Sequence, residues 1–141
     1  MPTRKATAKW TGGLKSGNGS FRSETGLTAN YSFGTRFGDQ TGSNPEELLA
    51  AAEAACFSMA LSAGLEKEGF TPTNIETSAA CTVEKVGEGF KITRMDLTVT
   101  ASVPGVDNTK FQAIALATKE SCPVSTALKG NVTISLQATL A

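Results

Sequence analysis

Residues Ser43 to Gly69 read SNPEELLAAAEAACFSMALSAGLEKEG, and no other stretch constrains the fold as strongly. Asn44 suits an N-cap, and Pro45 suits the first helical position, where a missing N–H costs nothing. Glu47 stands three residues after the cap, as in a capping box, and Gly69 follows the charged turn Glu66-Lys67-Glu68 as a C′ glycine. Between these signals Leu48, Leu49, Ala50, Ala51, Ala52, Ala54, Ala55, Cys56, Phe57, Met59, Ala60, Leu61 and Ala63 leave almost no polar face. A helix apolar all round is either buried on every side or spans a membrane. The uninterrupted apolar run is short for a bilayer, and Glu53 breaks it. The pattern predicts a central helix wrapped by the rest of the chain, with a cysteine at its middle.

Strand patterns flank that helix. Ala6, Ala8 and Trp10 alternate with Lys5, Thr7 and Lys9. Gly17-Asn18-Gly19 signals a turn, and GSFRSET followed by LTANYSFGT reads as two further strands. Residues 37–42 form a loop into the helix. Beyond it, residues 71–83 place Ile75, Thr77, Ala79, Cys81 and Val83 on one strand face. Residues 90–103 form a long strand whose period slips near Arg94, as at a bulge. A second helix runs from Asn108 to Lys119 with Phe111, Ile114, Ala115 and Leu116 on its apolar side. Ser121-Cys122-Pro123 opens a short third helix through Leu128, and Val132 to Leu140 alternates as a final strand. The order predicts one α+β domain over residues 1–141, with antiparallel sheets around central helices.

Several function classes are excluded early. Thirteen basic residues balance thirteen acidic ones, so nothing favours nucleic acid or an anionic membrane. The opening MPTRKATAKW lacks an apolar signal core, which points to the cytoplasm. The chain has no histidine, which removes Ser-His-Asp and Cys-His catalysis and histidine metal sites. Its three cysteines lie too far apart for a zinc motif, and no phosphate-binding glycine loop occurs.

An odd cysteine count in a reducing compartment leaves buried or reactive thiols. Cys56 reads first as a small apolar residue in a buried helix, a reactive thiol being the second reading. Cys122, just before Pro123, sits where a helix N-terminus stabilises a thiolate, although any polar residue could cap there. Cys81 falls on the apolar face of its strand. Arg36 reads as a loop arginine, and Glu46 as a carboxylate favoured in a first helical turn. Glu53, three residues before Cys56, opposes thiolate formation unless it faces water or a cation.

Taken together, Thr35-Arg36-Phe37, Thr41-Gly42-Ser43-Asn44-Pro45-Glu46-Glu47-Leu48, Ala54-Ala55-Cys56-Phe57-Ser58-Met59-Ala60 and Ser121-Cys122-Pro123-Val124-Ser125 resemble the OsmC/Ohr family of bacterial hydroperoxide reductases. The resemblance runs from Trp10 to the C-terminus and is nearer the osmotically inducible branch. It implies an α+β intertwined homodimer and a peroxidase that needs no haem, selenium or metal. It further implies Cys56 as the peroxidatic thiol, Cys122 as the resolving one, and Arg36 and Glu46 as the charged pair that prepares the site. The implied partners are an organic hydroperoxide and a dithiol reductant of the dihydrolipoyl type, with neither nucleic acid nor membrane involved. Two other readings use the same residues: a redox sensor that forms the disulfide without turnover, and a stress protein that binds an apolar ligand. Glu46 and Cys56 are ten residues apart on one helix, about 15 Å along its axis. A cluster of Glu46, Arg36 and Cys56 is therefore expected to draw on two chains, with antiparallel copies of the helix meeting across a two-fold axis.

Overall fold

The computed structural model describes residues 1–141, which divide into two compact units, Met1–Leu48 and Leu49–Ala141.

The first unit is built on a three-stranded antiparallel sheet of β1 (Ala6–Thr11), β2 (Asn18–Ser23) and β3 (Thr28–Tyr31), paired in that order. Tyr31 packs against Trp10 and Phe21, with ring centroids 5.5 and 6.1 Å apart. Gly19 lies beneath them, where a Cβ would come within 2.7 Å of both Trp10 and Tyr31 ring atoms. Trp10 is half-buried, whereas Ala6 and Ala8 are exposed, so β1 lacks the half-buried face its alternation suggested. The strand expected to continue through Ser32 stops at Tyr31. Ser32 and Thr35 exchange hydrogen bonds in a capping box, Oγ of Ser32 accepting from the Thr35 N–H at 3.2 Å and Oγ1 of Thr35 accepting from the Ser32 N–H at 2.8 Å. They open the short helix α1 (Phe33–Phe37), so Arg36 belongs to a helix rather than a loop.

Helix α2 (Pro45–Lys67) has the expected bounds. The Asn44 side chain accepts from the Glu47 N–H at 2.8 Å. The Glu47 carboxylate does not close the box on Asn44 but accepts from the Ser43 hydroxyl at 2.6 Å. Gly69, at φ +92°, ends the helical segment in the left-handed region that glycine enters without strain. At 23 residues the helix is long and apolar enough to cross a membrane, contrary to the expectation from its apolar run. Its side chains nonetheless belong to a protein core. Glu53, Phe57, Leu61 and Leu65 are fully buried on one stripe, at helical spacings.

In the second unit, β4 (Asn74–Val86), β5 (Gly89–Ser102) and β6 (Thr133–Leu140) form a sheet in that order. Central β5 supplies fully buried Met95, Leu97, Val99 and Ala101, while its neighbours present half-buried side chains. Thr82 pairs with Arg94 and Val83 with Ile92, so the bulge read near Arg94 falls on Thr93. Helices α3 (Asn108–Ser121) and α4 (Pro123–Leu128) follow β5. The stripe of α3 that is buried is Phe111, Ala115 and Thr118, and Leu116 is exposed. Leu116 lies five residues from Phe111, which carries it round to the opposite side.

The class is the expected α+β, with a difference in pairing. β6 runs parallel to β5, not antiparallel, because α3 and α4 carry the chain back before it re-enters the sheet. A second difference concerns α2. Ala51, Ala52, Ala55, Met59 and Ala63 are exposed, Met59 at 77%. The helix is thus wrapped on one side and bare on the other.

Candidate active site

Two helix termini meet at Cys122. Its N–H closes α3 on the Thr118 carbonyl at 2.8 Å, and its own carbonyl accepts from the Thr126 N–H at 2.9 Å, opening α4. Pro123 takes the first position of α4, where it breaks no bond. The Cys122 side chain caps neither helix. It is buried, and its thiol points to Cys56 at an Sγ–Sγ distance of 3.0 Å. A disulfide would need the sulfurs about 1 Å closer.

The surroundings push the Cys56 thiol above its ordinary pKa. Burial is the largest cause, followed by the hydrogen bond to Cys122. A backbone hydrogen bond from Val124, in the first turn of α4, acts the other way by favouring the thiolate. The charge of Glu53 adds to the upward push. Within its own unit, then, Cys56 has one amide to hold a thiolate and several influences against forming one.

Arg36 and Glu46 form a pair in the first unit. Nε of Arg36 donates to both carboxylate oxygens, at 3.1 and 3.3 Å, and Nη2 donates to Oε1 at 2.9 Å. Glu46 is buried, while the arginine side chain is 35% exposed and stacks on Phe37 with 5.0 Å from Cζ to the ring centroid. Asn44, besides capping α2, donates from Nδ2 to the Thr35 carbonyl at 3.0 Å, which ties the end of α2 to α1. Beside Arg36 a cavity of about 260 Å³ is lined by Trp10, Leu14, Tyr31, Phe33 and Phe37. It offers an apolar wall with one guanidinium.

The structure thus brings Cys56 to Cys122 and Arg36 to Glu46, and the two pairs belong to different units. Cys81 stands opposite Met95 in the sheet, half-buried on the face that packs against the core. By its place in the sequence Glu53 opposes the Cys56 thiolate unless it faces water or a cation, and neither condition is met. Glu53 is fully buried rather than facing water, and its Oε1 accepts from the Ser125 hydroxyl rather than from a cation. The spacing Cys122-Pro-Val-Ser125 against Glu53-Ala-Ala-Cys56 carried that signal: both residues lie one turn from a cysteine. No three side chains of the His, Cys, Asp and Glu types gather where a metal ion could be held.

Two thiols in contact on an α+β scaffold fit the class of thiol oxidoreductases. The chain belongs to the OsmC family, whose OsmC-like protein model matches residues 38–137. It is 46% identical over 136 residues to the peroxiredoxin OsmC of Escherichia coli (strain K12), covering 95% of each chain. A crystal structure of the organic hydroperoxide resistance protein OhrB of Bacillus subtilis superposes with a TM-score of 0.74, at 30% identity over 97% of this chain and 98% of that one. An organic hydroperoxide resistance protein from Elizabethkingia anophelis, solved with thiocyanate bound, gives 0.79 at 27% identity, over 100% of this chain and 98% of that one.

Proposed function

We propose that this chain is a thiol-dependent peroxidase that reduces organic hydroperoxides, and hydrogen peroxide less well, by cycling Cys56 and Cys122 between thiols and a disulfide. The observation that carries the reading is the 3.0 Å approach of the two sulfurs, with a Val124 amide on Cys56. The Cys56 thiolate attacks the peroxide oxygen and expels an alcohol, becoming a sulfenic acid. Cys122 then attacks that sulfur and releases water, which spares Cys56 over-oxidation. A dithiol of the dihydrolipoyl type restores both thiols. The chemistry needs no metal or organic cofactor, and a cycle that ends in reduced thiols suits the cytoplasm. The names of the relatives, peroxiredoxin and organic hydroperoxide resistance protein, agree with this activity.

Arg36 supplies the cation that a thiol so raised requires, and Glu46 holds its guanidinium. The aromatic cavity beside Arg36 suits a hydrocarbon tail. Both units act as one catalytic domain in a homodimer. Its motive is the ten-residue separation of Glu46 from Cys56, together with the bare apolar stripe of α2. Antiparallel packing of two such stripes covers them and sets Glu46 and Arg36 of one chain beside Cys56 of the other, twice.

Multiple turnover of cumene hydroperoxide with a dithiol tests the activity. A sensor consumes one equivalent and stops, and a ligand-binding protein loses no thiols at all. Co-refolded Glu46→Ala and Cys56→Ser chains test the shared site: activity returns in heterodimers that carry one intact site. Heterodimers that form and stay inactive confine each site to a single chain.

A further inference from the structure

Glu53 is the one fully buried carboxyl group that the proposed cycle leaves without a part. One oxygen is bonded to Ser125, and Oε2 has no hydrogen-bond partner. Burying a carboxyl group in this way is costly, and the residue has no exposed surface through which a second copy of the chain could complete it. Its position is specific. Glu53 precedes Cys56 by one turn of α2, and Ser125 follows Cys122 by one turn of α4. The Glu53–Ser125 bond and the Cys56–Cys122 contact are therefore adjacent rungs between the same two helices. Ser125 also lines a cavity of about 180 Å³ with Lys119, Glu120, Lys129, Val132 and Ile134. The charged groups that share this cavity with Ser125 are Lys119 and Glu120 on α3 and Lys129 after α4, while β6 and the preceding segment contribute only Ile134 and Val132. On α2 and α4 the titrating neighbours are Cys56 and Cys122.

Resting on the peroxidase reading, we propose that Glu53 takes the proton of Cys122 during disulfide formation, held in place for it by Ser125. The Cys122 S–H bond breaks and its proton passes to Oε2 of Glu53. The sulfur–sulfur bond forms as the sulfur–oxygen bond of the Cys56 sulfenic acid breaks. The departing hydroxide takes the proton back from Glu53 and leaves as water. The Cys56 sulfur is reduced and the Cys122 sulfur oxidised, both to the disulfide level, and no proton is gained or lost. A carboxylate here hinders the first step by raising Cys56 and serves the second. That division accounts for a residue which a one-step view makes a liability.

The test separates the steps in the full-length protein. Reduced wild type and Glu53→Gln are mixed with one equivalent of cumene hydroperoxide. Sulfenic acid is followed by dimedone trapping, and the disulfide by loss of titratable thiols. Gln keeps an oxygen for Ser125 but loses the carboxylate. Sulfenic acid should form at least as fast as in wild type. Disulfide formation should slow by about 100-fold at neutral pH, at the lower end of what lost general-base catalysis costs. The deficit should shrink as pH rises and solvent ionises Cys122, and Glu53→Asp should recover part of the rate. Equal disulfide rates in wild type and Glu53→Gln across pH 6–9 overturn the inference and leave the peroxidase reading standing. Wild type that loses no thiols overturns that reading instead. Should Glu53→Gln not fold, the wild-type disulfide rate must fall on acidification, and Ser125→Ala must move that fall. A rate indifferent to both overturns the proposal.

Discussion

Glu46 and Glu53 sit on one helix, are both buried, and are treated in opposite ways. Glu46 receives three hydrogen bonds from a guanidinium and is neutralised by it. Glu53 receives one from a hydroxyl and keeps an oxygen unpartnered. A buried carboxylate paired with arginine is fixed in its charge and geometry, and breaking such a pair is costly. A buried carboxyl group bonded to a neutral partner can exchange its proton. The first arrangement suits a group that holds another in place, and the second a group whose own protonation changes during a reaction. Burial alone does not distinguish them; the partner does.

The largest expected effect lies at the thiol that Glu53 adjoins. Cys56→Ser abolishes peroxide turnover, whereas Cys122→Ser completes one rapid stoichiometric reaction and then stalls or over-oxidises. Steady-state consumption and mass spectrometry distinguish the two, and equal activity in Cys56→Ser and wild type sinks the assignment. Next comes the bare stripe of α2. Met59→Asp should leave each chain folded and its Cys56–Cys122 contact intact, yet shift the protein to monomer on size-exclusion chromatography and lower turnover by more than about tenfold, since a charge at the centre of an apolar interface costs several kcal/mol. A dimer that survives Met59→Asp removes α2 from the interface.

Arg36→Met takes the cation from the Glu46 arrangement. Peroxide reduction should fall roughly 10- to 100-fold at neutral pH. The sign follows from the Cys56 thiol, which is already raised by burial: without the cation less thiolate exists at pH 7, and raising the pH restores it. The loss should therefore shrink in alkaline buffer. A deficit constant with pH assigns Arg36 to orienting the peroxide. The smallest effect sharpens the comparison most. Glu46→Gln should cost about 1–3 kcal/mol in urea unfolding, because it leaves Arg36 without its charge partner. Glu53→Gln should fall within about 1 kcal/mol of wild type, on either side, because it removes a carboxyl group that was never fully satisfied. Equal losses at both positions erase the distinction.

What was legible in the residues was chiefly local. The Asn44-Pro45 start and Gly69 end of α2 are hydrogen-bonding and backbone requirements that short motifs express directly. Arg36, Glu46, Cys56 and Cys122 were reached through the resemblance, and the structure brings them into two pairs. The capping box of Ser32 and Thr35 went unseen because both residues also suit a strand. The direction of β6 was hidden for a different reason. Alternation fixes which side chains share a face and is identical for parallel and antiparallel neighbours. The bare side of α2 was invisible because an apolar surface reads the same whether its own chain or another copy covers it. The part played by Glu53 depends on Ser125, seventy-two residues away, and no local pattern carries that information.

The parallel pairing of β5 and β6 has a consequence for the order in which the site assembles. Such a pair cannot close as a hairpin; it must wait for α3 and α4 to pass over the sheet, a non-local arrangement that forms slowly. Cys122 lies inside that crossover, between α3 and α4. Cys56 therefore has no second thiol docked against it until that crossover has folded. Closure of the slow, non-local part of the fold and assembly of the two-thiol pair thus become a single event.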